Sequence, residues 1–257
     1  YCINLSYRSD RWTRMLDVGR MAGITLTRID AVDARAIEHQ LDLATMIDSG
    51  PVGHIGIGTL ACTLSHAEAW RTFLDDGAPW GVFLEDDVVL SDDFKDTVER
   101  LVQAPLPVDL VKIECGGAAM RGLLLGRALR VIRGRRLRIC HQLATDAAGY
   151  LMSRHGAEQA LAKINACDVG VDHFLFYPLE RKGSAGLPFA IVEPALVIQD
   201  RTHGSDIAAS RHRGNARWRW FARAPYEAAP IPMMLGQLVM NGARFIKTPF
   251  AARAVSV

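Results

Sequence analysis

Three consecutive acids, Glu85-Asp86-Asp87, follow the apolar run Trp80-Gly81-Val82-Phe83-Leu84 and precede Val88-Val89. A strand this rich in Val, Phe and Leu is expected to be buried, and carboxylates there are costly unless paired, protonated or bound to a cation. Side chains alternate across a strand, so Glu85 and Asp87 should point one way and Asp86 the other; two carboxylates on one side suit a single hard cation. The plainer alternative is a turn between two strands with its acids in water. A further acid needs a reason: Asp172 interrupts the short apolar segment Val171-Asp172-His173-Phe174-Leu175-Phe176.

The elements that must position these groups follow from apolar periodicity. Tyr1 to Leu5 reads as a short buried strand, Trp12, Met15, Leu16, Val18, Met21 and Ala22 recur at helical spacing, Gly23 ends that helix, and Ile24 to Ile29 reads as a second strand. Such a strand, helix, strand unit builds parallel sheet, and ligands of such sheets gather at the carboxyl ends of the strands. Residues 33–51 are mixed, and Gly53, Gly56 and Gly58 mark a flexible stretch. Leu60, Ala61, Leu64, Ala67, Trp70, Phe73 and Leu74 then describe an amphipathic helix that carries Ser65 and His66.

Beyond the acids, Ser91 is placed to cap a helix reaching about Val102, Val108 to Ile113 is a strand, and residues 127–140 read as basic strands joined at Gly134. Ala147 to Met152 is a strand, with Ser153 starting a helix to about Ile164. Ile191 to Gln199 reads as a last strand, at a sheet edge because it contains Pro194. From Trp218 onward the composition turns to tryptophan, arginine and methionine, which divides the chain into a domain over residues 1–215 and a basic, aromatic tail over residues 216–257.

Composition bounds the function classes. A chain of 257 residues with 49% apolar residues can bury a substantial core, and a net charge of +2 gives no overall field that would imply nucleic acid as a partner. Cys2, Cys62, Cys115, Cys140 and Cys167 are odd in number, scattered and without a CxxC pair, which favours buried thiols in a reducing compartment. The chain contains no run of about 18 uncharged apolar residues, so no ordinary membrane-spanning helix is expected within it.

The landmarks together resemble glycosyltransferase family 25, the enzymes of lipopolysaccharide biosynthesis that also include the collagen galactosyltransferases. The residues that carry the resemblance are Ile3-Asn4-Leu5 with Arg8 and Arg11, Ala31-Val32-Asp33, Gly58 to His66 with Trp70, and Leu84-Glu85-Asp86-Asp87-Val88. Gly149 to Ser153, Val171-Asp172, and Pro194 to Gln199 with Ser205 continue it. The resemblance implies an α/β fold of the GT-A type, a nucleotide-sugar-binding fold whose central mixed, mostly parallel twisted sheet is flanked by helices. It also implies a metal-dependent inverting transfer of a hexose, with galactose from UDP-galactose as the expected donor and a saccharide such as a lipooligosaccharide core as acceptor.

Within that resemblance Glu85-Asp86-Asp87 corresponds to the DxD-like motif, with Asp87, Glu85 and His203 as ligands of Mn²⁺ or Mg²⁺. Asn4, Leu5, Arg8, Arg11, Ser65, His66, Glu85, Asp86 and Gln199 are the expected nucleotide-sugar contacts. Asp172 is the expected catalytic base, its alternative being a helix N-cap. Asn4 and Arg8 have the alternative of capping the first helix, and His66 that of a packing histidine. Arg201, Arg211 and Arg213 are candidates to contact diphosphate or an anionic acceptor. With Arg217, Arg219, Arg223, Trp218, Trp220 and Phe221 they form a patch suited to an anionic membrane surface, the alternative being a helix that packs on its own domain or on a second subunit. The expected location is therefore cytoplasmic, peripheral on the inner face of the membrane. A non-catalytic binding or scaffolding protein on the same fold is the competing reading.

Overall fold

The structure, a computed structural model, describes residues 1–37, 50–53, 55–103, 105–116, 122–200 and 223–253. The chain opens with β1 (Cys2–Asn4), all three residues buried, and α1 (Ser9–Ala22), which ends at Gly23 in the left-handed conformation. β2 (Arg28–Asp30) then pairs parallel to β1 with Ile3 opposite Ile29. This strand is shorter than the expected Ile24 to Ile29, because Ile24 and Leu26 pack on the core without joining a ladder.

A single turn, α2 (Ala34–Ile37), precedes the long α3 (Ile57–Asp75). β3 (Trp80–Glu85) and β4 (Val88–Leu90) flank a turn at Asp86 and Asp87. α4 (Phe94–Val102), β5 (Leu110–Lys112) and β6 (Glu114–Cys115) follow, then the hairpin β7 (Leu123–Ile132) and β8 (Arg135–Cys140). Its two-residue turn, Arg133 and Gly134, has both φ angles positive at 51° and 77°, which matches the right-handed twist of the strands. β9 (Gly149–Ser153) leads into α5 (Arg154–Lys163), capped by the Ser153 hydroxyl accepting from the Gly156 amide. The rest of the chain supplies α6 (Val171–Leu175), β10 (Phe189–Glu193), β11 (Val197–Gln199), α7 (Ile231–Met240) and β12 (Arg244–Ile246).

Nine strands form one sheet in the order β12-β7-β8-β10-β5-β9-β3-β1-β2. The expected α/β architecture with a mixed central sheet flanked by helices is present, consistent with a GT-A-like fold. Among the described residues, parallel pairing in this large sheet is confined to β2-β1-β3 and β5-β10, and its other five pairings are antiparallel, so the sheet is less parallel than expected. The reason is local: β7 and β8 are joined by a two-residue turn, and only crossover connections can make parallel neighbours. β12, from the stretch assigned by sequence to a tail, pairs antiparallel with β7 and extends the sheet.

The segment Ile191 to Gln199 is divided between two sheets. β10 sits inside the large sheet between β8 and β5, whereas β11 joins a three-stranded sheet in the order β4-β11-β6. Pro194 therefore does not mark an edge strand; lacking an N–H, it stands where the chain leaves one ladder for another. The two sheets touch closely at Gly149, where a Cβ would lie 3.0 Å from a methyl of Val197.

Burial on both faces explains the all-buried β9. Tyr150 and Phe83 point into a cluster with Trp70, Phe73, Phe174 and Phe176 from α3, α6 and the residue after it. Their neighbours Leu151 and Leu84 point to the opposite cluster with Met15 of α1 and Phe94 and Leu101 of α4. Helix α4 begins at Phe94 with Asp93 as its N-cap, two residues later than the expected Ser91. The Asp93 carboxylate instead receives Arg135, at 2.6 and 2.9 Å, and the Thr97 hydroxyl at 3.1 Å.

Arg135 is 1% exposed and also donates to the carbonyls of Pro194, Ala195 and Ala251, so one guanidinium ties the hairpin to three other segments. Burial pushes the Asp93 carboxyl up, but its bonds to Arg135 outweigh that and hold it below the usual range. Its contribution to stability should be present above the unfolded carboxylate pKa of about 4 and be lost as pH falls through the lower folded value. Removing one partner by Arg135→Met should cost about 3–5 kcal/mol in denaturant unfolding, and adding Asp93→Leu should recover much of the loss, since no unpaired buried charge remains.

Candidate functional site

The carboxyl ends of β1, β2 and β3 open on the same side of the sheet, and the register sets what meets there. Ile3 lies opposite Glu85, which brings Asn4 to Asp86. The Asn4 amide donates to Asp86 Oδ2 at 2.6 Å and Arg11 of α1 donates to Asp86 Oδ1 at 2.9 Å. Asp86 is therefore consumed by internal pairing, and Asn4 acts through it. In the smaller sheet Gln199 lies opposite Val88, which carries its side chain to the acids. Its amide nitrogen donates to Glu85 Oε2 at 3.2 Å and to Asp87 Oδ2 at 3.1 Å. Asp86 and Asp87 occupy a turn after β3, as the plainer reading held, but they are buried rather than in water, and Glu85 and Asp87 converge on one side.

Arg11, Glu85, Asp86, Asp87 and Gln199 line a cavity of about 220 Å³ together with Leu5, Tyr7, Asp33, Arg35, Cys62, Ser65 and His66, whereas Asn4 stands behind Asp86 and outside the lining. Ser65 works on the wall itself: its hydroxyl accepts from the Val32 amide at 2.8 Å and donates to the Ala61 carbonyl at 2.7 Å, pinning the loop after β2 to α3. Arg8 pairs with Asp10 at the start of α1 and lies outside the cavity lining. His203 lies outside the described residues. Asp172 sits in the first turn of α6, whose N-cap is Gly170, so it is not the cap. Its two oxygens accept from the amides of His173 at 2.8 Å and Asp146 at 3.2 Å. It is not part of the cavity lining, yet its charge reaches Glu85, His66 and Cys62.

The electrostatics are those of crowded acids in poor solvent. Desolvation first, then the charges of Asp86, Asp146 and Asp172, push Glu85 up to about 7. Desolvation and the charges of Glu85 and Asp86 push Asp87 up to about 7, against Arg11 and Gln199. Asp87 Oδ1 is buried and has no hydrogen-bond partner among the described residues. An orphaned buried acceptor beside a second carboxylate fits a hard divalent cation, which takes oxygen ligands and relieves both desolvation and repulsion.

Some functional residues escape the sequence reading. Lys112, 1% exposed, pairs with Glu114 and donates to the Asp146 carbonyl at 2.5 Å, and its charge opposes the rise of Glu85. Its signal was the same as that of the triplet: a charge inside the apolar strand Val108 to Ile113. Arg35, bonded to Asp33 and 4.1 Å from the Tyr7 ring, closes the far wall, and only the three-dimensional path of the loop after β2 brings it there.

Because folded Glu85 and Asp87 bind protons more tightly than in the unfolded chain, the folded state holds more protons between pH about 4 and 7, and stability should fall as pH rises through that window. In chelator, the thermal midpoint should decrease from pH 5 to 8, and Asp87→Asn should flatten the profile. Divalent cations should raise the wild-type midpoint most above pH 7, where both acids are ionised.

Sequence comparison finds a similarity to a known family over part of this chain. Residues 1–115 match the family model described as glycosyltransferase family 25 (LPS biosynthesis protein). A curated relative from Mus musculus, named inactive glycosyltransferase 25 family member 3, is 31% identical over 110 residues, covering 40% of this chain and 19% of the relative. The match thus spans about a fifth of that protein's length. The family-matched region holds Asn4, Arg11, Ser65, His66 and all three acids, and Asp172 and Gln199 lie beyond it.

Proposed function

With residues 1–115 read as glycosyltransferase family 25 sequence, we propose that the protein is an inverting glycosyltransferase that moves a hexose, galactose from UDP-galactose, to a saccharide acceptor such as a lipooligosaccharide core. The observation that carries this reading is the convergence of Glu85 and Asp87 on the Gln199 amide, at a cavity where parallel strands end. Asp87 and Glu85 would hold Mn²⁺ or Mg²⁺, with His203 as the expected further ligand, and the cation would supply positive charge to the departing diphosphate. Asn4 and Arg11 keep Asp86 in place, and Ser65 and Arg35 shape the wall that would receive the nucleoside.

Asp172 is the proposed base. The acceptor hydroxyl oxygen attacks the anomeric carbon, the bond from that carbon to the diphosphate oxygen breaks, and the hydroxyl proton passes to the Asp172 carboxylate. The two backbone amides on Asp172 fix its orientation while leaving lone pairs for that proton. The basic, aromatic patch expected from Arg201 to Phe221 lies outside the described residues. Peripheral membrane contact is proposed for the C-terminal region, where α7 exposes Ile231, Leu235, Val239 and Met240 and the chain continues through exposed Arg244 and Lys247. None of the described helices is long and apolar enough to cross a membrane.

The printed name of the mouse relative calls that protein inactive, which makes a non-catalytic nucleotide-sugar binder the reading to test against. Calorimetry with UDP and Mn²⁺ should show cation-dependent binding, and UDP should be released slowly from UDP-galactose. Asp87→Ala should abolish both without lowering cooperative unfolding. Full activity in chelator would remove the cation assignment, and UDP binding with no turnover of any nucleotide sugar would favour the non-catalytic protein. Asp172→Asn should lower kcat about 10²- to 10⁴-fold with UDP affinity unchanged.

A further inference from the structure

His66 is 0% exposed, lines the cavity, and engages only one of its ring nitrogens in a hydrogen bond among the described residues. Nδ1 lies 2.8 Å from the Tyr150 hydroxyl, which also receives the Trp70 indole N–H at 2.8 Å. An indole N–H donates and never accepts. The Tyr150 hydrogen, fully buried, therefore goes to His66 Nδ1, since leaving it unpaired would carry the whole desolvation cost of the hydroxyl. That bond fixes the tautomer: the imidazole carries its own hydrogen on Nε2. Burial keeps the ring neutral by pushing its pKa down to about 4.

Among the described residues His66 Nε2 has no hydrogen-bond partner, and Glu85 Oε1 lies 3.7 Å away, beyond hydrogen-bonding distance. Side by side at the cavity wall stand an unused donor and a carboxylate acceptor. Cys62, His66 and Glu85 present ligand atoms within 4.8 Å of one another, the arrangement of a possible metal site, but a metal would need Nε2 bare. Burial, Glu85, Asp172 and Asp87 also keep the Cys62 thiol protonated.

We propose that the Trp70-Tyr150-His66 relay presents a fixed Nε2–H which, together with Glu85 Oε1, reads one hydroxyl of the donor sugar. A hydroxyl is the group that answers this pair, because it accepts from Nε2–H and donates to the carboxylate through the same oxygen. A phosphate oxygen could only accept, and would face the Glu85 charge. The inference rests on the glycosyl-transfer reading for its ligand, whereas the relay stands on geometry alone.

The test begins without ligand. Nitrogen-15 spectra of the imidazole should show the Nε2–H tautomer of His66 in wild type and its loss in Tyr150→Phe; an Nδ1–H tautomer in wild type, or displacement of the Nε2 hydrogen by added Zn²⁺, would overturn the relay. With Mg²⁺ present, UDP-galactose should shift the Nε2–H resonance and UDP should not; an equal shift with UDP would mean that the group reads diphosphate, which sinks the proposal. Binding of neither nucleotide, with the tautomer intact, would remove the proposed function and the sugar half of this inference and leave the relay in place. For turnover, His66→Leu should lose about tenfold in kcat/KM, His66→Gln should recover most of it through its amide N–H, and UDP affinity should stay constant. Among UDP-galactose analogues each lacking one hydroxyl, one should be discriminated by wild type and not by His66→Leu. Identical discrimination in both would reject the assignment.

Discussion

The crowding of negative charge at the end of β3 is the constraint around which the rest of the structure is arranged. Glu85, Asp86 and Asp87 occupy consecutive positions with Glu114, Asp146 and Asp172 in electrostatic range, and a low-dielectric interior magnifies every repulsion among them. Each partner comes from a different part of the chain: Asn4 from β1, Arg11 from α1, Gln199 from β11 and Lys112 from β5. Asp86 is neutralised internally by Asn4 and Arg11. Glu85 and Asp87 are left sharing one amide, and their raised proton affinities record the imbalance. The fold satisfies one carboxylate of three and leaves the others poised for something positive.

That division explains how much of the site could be read in advance. Costly charge in an apolar run is visible in any sequence, so Glu85 to Asp87 and Asp172 stood out without coordinates. Two helices were equally legible, since the apolar spacing from Leu60 to Leu74 falls within Ile57–Asp75 and Ser153 caps its helix as expected, whereas Val171–Leu175 and Ile231–Met240 were not read as helices. What stayed hidden depends on register and on partners remote in sequence. Arg135 looked like one more base in a basic hairpin until the fold placed Asp93 against it. Pro194 looked like an edge signal because a run of apolar residues does not show that its two halves serve different sheets. Ser65 lines the cavity as a ligand contact would, and it also holds the wall, a role hidden because its partner Val32 lies far off in sequence.

The aromatic cluster has a role that composition alone would not suggest. Trp70 and Tyr150 are core residues by volume and burial, yet their polar edges meet at one point and decide where a proton sits on His66. Packing and chemistry are thus not separable layers here. The rings that fill the space between α3 and the sheet also orient a donor at the cavity, and their burial holds its direction.

One small residue sets the gauge of the site. Glu85 belongs to the large sheet and Gln199 to the small one, and the two sheets press together where Gly149 faces Val197. Here the absence of a side chain works as a spacer of zero thickness. A methyl at Gly149 would act as a shim between the sheets, lengthening the span from Glu85 to Gln199 while leaving every site residue unchanged. The dimension that governs how two carboxylates face one another is thereby encoded at a position with no polar group to mark it.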